Sequence, residues 1–162
     1  MKHRTGLLTA LAVVVGILLV AGLALAQANA TPYTATETPG DIISPGTWTY
    51  PDGNTHIRGF VRNYARSASD LRVNGTWRVV MNANLDRNWT GPVWGSARLE
   101  NGSGVWEGIW QGRFNLATGV GDYESVVIGS GDFRGLQVKE HCVYTGTGTG
   151  ACTGRILETP GS

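Results

Sequence analysis

Two runs of residues in this chain have types and spacings that could do chemistry. Glu140, His141 and Cys142 place a carboxylate, an imidazole and a thiol side by side, a combination used in metal sites and in acid–base catalysis. Because neighbours on a β-strand point to opposite faces, these three side chains cannot converge from one strand. The glycine pairs of Gly119-Val120-Gly121 and Gly129-Ser130-Gly131 could suggest phosphate loops, but no predicted helix follows either pair. We therefore predict no catalytic residue, no metal site and no cofactor.

The cysteine pair offers a different chemistry. Cys142 and Cys152 are the only two cysteines, and three glycines between them would let a hairpin turn back on itself. We predict a disulfide, which in the chain-entropy model would stabilise the fold by about 2.5–3 kcal/mol. Two buried free thiols, or a lone pair of metal ligands, are the alternatives; two cysteines without histidine at ligand spacing rarely form a zinc site.

Tryptophans at alternating positions give candidates for ligand binding. Trp106, Trp110 and Phe114 share one strand face with two glycines, while Glu107 and its alternating neighbours share the other. If the glycine-rich face lines a barrel, the tryptophans become pocket walls; if the faces are reversed, Glu107 is an interior carboxylate able to act as a general base. The predicted ligand-binding residues are Trp94, Trp106 and Trp110 as apolar walls, with Arg98 and Glu107 as polar contacts.

The elements that must position these residues are short strands separated by turns. No stretch shows helical spacing of apolar residues, and turn residues recur every 8–14 positions, which indicates a sandwich or a barrel. One strand has a clear apolar face broken at Gly75, where we predict a bend or bulge. The fold class is all-β, a small antiparallel meander closing into a roughly eight-stranded β-barrel. The predicted strands are residues 46–50, 56–65, 70–83, 92–100, 105–115, 121–128, 133–144 and 151–158.

The N-terminus has the pattern of a secretory signal. Lys2 and Arg4 precede an almost unbroken apolar run over residues 7–26, and overlapping A-x-A sites follow it. Residues 1–30 are therefore predicted to be a signal peptide, with an uncleaved membrane anchor as the alternative. Residues 31–45 carry two prolines and no apolar periodicity, so we predict a flexible leader there and a barrel domain over residues 46–160. The predicted location is extracytoplasmic, with membrane contact only through the N-terminal segment and only if that segment is not cleaved.

Charge and composition exclude one class of partner. After residue 30 the chain keeps 11 of its 13 basic residues and all 12 acidic ones, so its net charge is close to zero. Nothing in that balance favours nucleic acid. Glycine is more than twice as frequent as usual, but six tryptophans require a packed interior and argue against disorder.

Several short motifs resemble those of a known group of proteins. They are Trp48 to Gly59, Gly91 to Gly95, Gly104 to Gly112 and Gly131 to Leu136, which together are similar to uncharacterised bacterial secreted proteins of the allene oxide cyclase barrel-like group. The resemblance spans roughly residues 45–158 and implies a small eight-stranded antiparallel barrel. In plants that barrel hosts a cyclase acting on an unstable fatty-acid epoxide, and related dirigent proteins guide radical coupling. No catalytic residue of either group matches a position here.

The expected function is therefore a non-catalytic exported barrel that binds a small hydrophobic molecule or acts as an interaction module of the cell envelope. An isomerase or cyclase of the allene oxide cyclase type is one alternative, and a carbohydrate-binding module using exposed tryptophans is another. An interior carboxylate or histidine in a pocket would favour the enzyme. A pocket lined only by aromatic residues would favour binding, and a filled core would favour a structural role.

Overall fold

The computed structural model describes residues 30–102 and 104–159, and about three quarters of them lie in strands. The predicted signal segment falls outside the described residues, apart from Ala30. No helix among the described residues is long and apolar enough to span a membrane. The strands are β1 (Ala30–Ser44), β2 (Thr47–Thr49), β3 (Thr55–Ala68), β4 (Gly75–Leu85), β5 (Thr90–Asn101), β6 (Gly104–Asn115), β7 (Val120–Gly131), β8 (Leu136–Thr145) and β9 (Gly150–Glu158).

The strands form one closed antiparallel barrel, which confirms the predicted fold class. From β3 to β9 each strand pairs with the next, and β1 closes the sheet by pairing with both β9 and β3. Closure leaves eight barrel strands, and the short β2 is additional. An eight-stranded barrel is just wide enough for its interior side chains or one small ligand.

The prediction of a flexible leader over residues 31–45 is wrong. Most of this segment is β1, whose register pairs Ala35 with Ala68 and continues to Ser44 opposite Val61. Tyr33, Ala35 and Glu37 alternate inward and are buried, whereas the threonines between them are exposed. The segment was misread because its inward positions include a glutamate and small residues, so the period of two is not visible as hydrophobicity.

The first predicted strand, residues 46–50, is therefore not one of the eight barrel strands. Its core is β2, which pairs with the first part of β3, opposite His56 to Arg58, while β1 pairs with the second part. Pro45 and Gly46, the latter with φ of 66°, separate β1 from β2 along the same side of β3. β1 and β2 therefore both pair with the long strand β3, one after the other along the same edge.

The predicted strand over residues 70–83 begins later than expected. Leu71–Val73 forms a 3-10 turn, with Asp70 accepting a hydrogen bond from the Arg72 amide at its start, and β4 begins at Gly75. Leu71 is 77% exposed instead of facing inward. Gly75, with φ of 135°, marks the start of the strand and not a bend within it.

Buried aromatic side chains fill one end of the barrel. Trp106 is completely buried, stacks on Phe133 at 4.9 Å between ring centroids, and donates from its indole to the Arg72 carbonyl at 2.7 Å. Val73 and Leu99 are also fully buried. Several glycines on the inner face make room for the rings of neighbouring aromatic residues. The ring–glycine pairs are Phe133 with Gly104, Phe114 with Gly121, Tyr144 with Gly150 and Tyr33 with Gly154.

Candidate ligand-binding cavity

Three charged side chains meet inside the barrel. Arg66 projects inward from β3, Glu37 from β1 and Glu140 from β8, and each side chain is at most 4% exposed. Arg66 Nη2 forms an ion pair with Glu37 Oε2, and Nη1 lies 2.9 Å from Glu140 Oε2. Two carboxylates therefore share one guanidinium. Buried charges persist only when they are paired in this way.

Three tyrosines add hydrogen bonds to the two carboxylates. Tyr33 donates to Glu140 at 2.7 Å, and Tyr144 donates to Glu37 at 2.5 Å. The Tyr123 hydroxyl lies 3.1 Å from both Glu37 oxygens and 3.1 Å from Arg66 Nη2. We call these three tyrosines with Glu37, Arg66 and Glu140 the polar cluster.

One donor of the polar cluster has no acceptor. Arg66 Nε is buried, and no described residue accepts a hydrogen bond from it. The guanidinium lies over the Trp77 ring, with 4.7 Å from Cζ to the ring centroid. A buried unpaired N–H is uncommon in native proteins and calls for an explanation.

A cavity of about 80 Å³ lies against the polar cluster and opens to solvent. Glu37, Arg66, Glu140, Tyr123 and Tyr144 contribute its polar side. The half-buried Tyr64, Met81, Phe114 and Leu116 lie towards the end of the barrel opposite Trp106, where we place the mouth. The rest of the lining is Trp77, Val79, Ala97, Trp110, Ser125 and Val127. The cavity thus has a charged inner side and largely apolar, aromatic walls.

Burial sets the protonation of the polar cluster. Desolvation raises the pKa of Glu140 above its usual range, although Arg66 and the Tyr33 hydroxyl act in the opposite direction. Desolvation and the nearby carboxylates likewise raise the pKa of Tyr33, Tyr123 and Tyr144, so all three stay protonated donors. Burial alone would lower the pKa of Arg66, but attraction to Glu37 and Glu140 outweighs it and leaves that pKa raised.

The five predicted ligand-binding residues lie in three different parts of the barrel. Trp110 lines the cavity and donates from its indole to the Val80 carbonyl at 3.2 Å. Trp106 faces inward but belongs to the filled end of the barrel. Glu107 and Arg98 are exposed on the outer face, 2.9 Å apart. Trp94 is half-buried on the outer face, with Arg58 over its ring at 5.1 Å.

Sequence reasoning missed the polar cluster for identifiable reasons. Glu37 fell in the predicted leader, and Arg66 lies one residue beyond the predicted end of its strand. Glu140 was considered only with His141 and Cys142. Its actual signal was the alternation of Val138, Glu140, Cys142 and Tyr144, which places a glutamate on an otherwise apolar face.

The predicted disulfide between Cys142 and Cys152 is present. The two residues are directly paired across β8 and β9, and both are buried. Cys142 Sγ lies 3.3 Å from Glu140 Oε1, so the bridge forms part of the wall behind the polar cluster. Glu140, Cys142 and Cys152 lie close enough to suggest a metal site, but both sulfurs are committed to the disulfide. His141 points outward, 3.3 Å from Asp122.

The most exposed tryptophans are Trp48 and Trp89, 37% and 39% exposed. Their ring centroids are 6.3 Å apart and the ring planes are inclined by 53°. The two indoles do not form one flat surface on which a sugar chain could stack.

Comparisons of the chain with protein-family models, with curated protein sequences and with solved structures find no match.

Proposed function

We propose that this protein is an exported, non-catalytic β-barrel that binds a small, mostly apolar molecule in the cavity of the barrel. The observation that carries this proposal is the open cavity whose aromatic walls surround a buried charged cluster. Ligand pockets combine an apolar lining with a few placed polar groups that fix orientation. A barrel with only a structural role would gain stability from apolar side chains in place of Glu37, Arg66 and Glu140.

The volume of the cavity limits the ligand. At about 80 Å³ it is smaller than the roughly 150 Å³ engineered cavity that holds benzene. Either the whole ligand is very small, or one end of a longer molecule enters while the rest extends through the mouth at Phe114 and Leu116.

The test is native mass spectrometry of the protein in the form that its expression host exports, purified without reducing agent. We expect an added mass that is lost on denaturation. Ala97→Leu, which fills the cavity from β5, should abolish it, whereas Ser96→Leu on the exposed outer face of the same strand should not. A bare polypeptide mass, with no saturable binding of small apolar probes, would contradict the proposal.

An isomerase or cyclase of the allene oxide cyclase type is the second candidate, suggested by the sequence resemblance. One observation favours it: Glu140 is a carboxyl of raised pKa beside a cavity, as a general acid or base would be. Binding is the better-supported function because Arg66 and the tyrosines already engage both carboxylates.

Turnover of an unstable fatty-acid epoxide separates the two candidates. Cyclisation faster than the spontaneous reaction, lost in Glu140→Gln and kept in Glu107→Gln on the outer face, would establish the enzyme. Carbohydrate binding has the weakest support of the three functions, given the inclination of Trp48 to Trp89.

Export is supported by two features that are independent of the cavity. The N-terminal residues have the signal pattern, and the disulfide suits an oxidising compartment. We expect the secreted protein to begin near residue 31 and to weigh two hydrogen atoms less than its reduced sequence. Sequencing of the N-terminus and an intact mass would measure both, and retention of residues 1–30 would indicate an anchor instead.

A further inference from the structure

We propose that the cavity binds the head of a small quaternary ammonium compound, which places a positive charge without N–H groups between the aromatic walls and the polar cluster. This inference rests on the proposed function and narrows the ligand to one chemical class. It begins from two observations on the residues that line the cavity: their charges do not balance, and many of them are aromatic.

The charged side chains of the cavity carry an excess of negative charge. Among the described residues, Glu37, Arg66 and Glu140 are the only charged side chains that line it. The single guanidinium faces both carboxylates, so it can neutralise only one of them when both are ionised. Because these groups are buried, water and salt screen the remaining charge only weakly. A cation in the cavity would compensate that charge, whereas a neutral molecule would leave it and an anion would add to it.

Aromatic rings give the cavity walls that attract cations. The face of such a ring is negative, and cages of aromatic rings bind quaternary ammonium groups. One ring of this wall already holds a cation, since the Arg66 guanidinium lies over Trp77 with 4.7 Å from Cζ to the ring centroid. The aromatic residues of the lining are Tyr64, Trp77, Trp110, Phe114, Tyr123 and Tyr144. The walls and the charged side of the cavity therefore favour the same kind of ligand.

Burial of the carboxylates favours a nitrogen that carries no N–H. The side chains of Glu37 and Glu140 are almost sealed from solvent, and tyrosine hydroxyls already donate to both. An ammonium with N–H groups would give up hydrogen bonds to water and gain none from these oxygens. A fully methylated nitrogen has no donor to satisfy, and its methyl groups suit apolar walls. Because the cavity is small and open, only this head needs to enter, while the rest of the molecule extends past Phe114.

The experiment compares choline with 3,3-dimethyl-1-butanol, which has the same shape and a carbon atom in place of the charged nitrogen. A third probe, 2-hydroxyethylammonium, keeps the charge and has N–H groups in place of the methyl groups. Binding to the exported protein is measured by isothermal titration calorimetry at about pH 8, well above the usual pKa of a glutamate. Glu140→Gln removes the excess charge and keeps the size of the side chain, and Glu107→Gln on the outer face is the matched control.

We expect choline to bind at least about tenfold more tightly than either of the other probes. Glu140→Gln should lower the affinity for choline several-fold and leave the affinity for 3,3-dimethyl-1-butanol unchanged, because only the charged probe responds to the lost carboxylate. Glu107→Gln should change neither affinity. Ala97→Leu, which fills the cavity, should abolish the binding of both probes.

The ammonium inference is wrong, while the proposed function stands, if 3,3-dimethyl-1-butanol binds as tightly as choline or if Glu140→Gln lowers both affinities alike. Equal binding of 2-hydroxyethylammonium and choline would also overturn it, since methylation would then not matter. If Glu140→Gln does not fold, the comparison of choline with its neutral analogue in the unmodified protein decides alone. If no probe binds saturably, the ammonium inference fails, and if the exported protein also carries no added mass, the proposed function fails with it.

Discussion

At the scale of single residues, the pairing of buried charges in the barrel interior depends on the groups that surround Arg66. A planar guanidinium can pair with two carboxylates from different strands at once, which a lysine ammonium does with less directional control. Tyr144 then donates to Glu37 Oε1, which Arg66 does not contact, whereas Tyr33 donates to the same Glu140 Oε2 as Arg66. Removing Arg66 would leave two buried carboxylates without their cation, a loss of about 3–5 kcal/mol in comparable sites, whereas removing one carboxylate still leaves an ion pair.

Glu140 should make the stability of the protein depend on pH. Because burial raises its pKa, the folded chain keeps this proton to a higher pH than the unfolded chain, which loses it near 4.5. The stability contributed by the protonated carboxyl is full below that value and is lost as pH rises through the folded pKa.

Glu140→Gln removes the titration and keeps the size of the side chain. Denaturant unfolding of both proteins from about pH 4 to about pH 7 should show the free-energy difference shifting steadily in favour of the variant. Glu107→Gln, an exposed carboxyl on the outer face, is the control and should track the parent protein. A difference for Glu140→Gln that stays constant with pH would contradict the expected direction.

At the scale of elements, close approach of neighbouring strands explains the inward glycines. Gly95 on β5 lies against the Val80 carbonyl of β4, and the Trp110 indole crosses over it. The same reason applies to Gly108 and Gly112 on β6. The alternation of glycine with tryptophan on β6 marked one distinct face but left open whether that face is the interior one; the structure places it inside.

Gly95→Ala should therefore be costly. Its methyl group would overlap the Val80 oxygen and come within 3.2 Å of Trp110 Nε1, so the two strands must separate. We expect a loss of about 1–3 kcal/mol or more, measured by thermal or denaturant unfolding. Gly40→Ala, whose methyl group would have its nearest neighbour at 3.2 Å, should lose much less. Equal losses in the two variants would mean that lack of space around Gly95 is not the reason for its cost, and that both variants lose stability through a backbone effect of replacing glycine.

At the scale of the whole molecule, the strand that closes the barrel is the one that sequence reasoning did not find. The turns between β3 and β9 have strong local signals, so seven of the eight barrel strands were predicted from glycine, asparagine and aspartate spacing. β1 has no such signal, because its role depends on two neighbours that are distant in the sequence. The polar cluster was unpredictable for the same reason, since β1, β3 and β8 supply its charges.

Thr36→Pro tests the role of β1. Thr36 lies opposite Ser67 in the middle of a strand with neighbours on both sides, so proline removes a ladder hydrogen bond whichever way its amide points. We expect a loss of at least about 2 kcal/mol in unfolding experiments. Thr36→Val keeps the amide and the branched shape and should change little. If Thr36→Pro leaves the free energy of unfolding unchanged, β1 does not close the barrel and the segment is a flexible leader after all.

The position of β1 also constrains the order in which the molecule can form during synthesis. The first barrel strand to be made pairs with the last, and the hydrogen bond from Tyr33 to Glu140 joins residues 107 positions apart. Such non-local closure is slow, and every shorter nascent chain carries two open sheet edges that invite aggregation. The cavity is complete only when β1 pairs with β9, so the protein can bind a ligand only after this last step of folding.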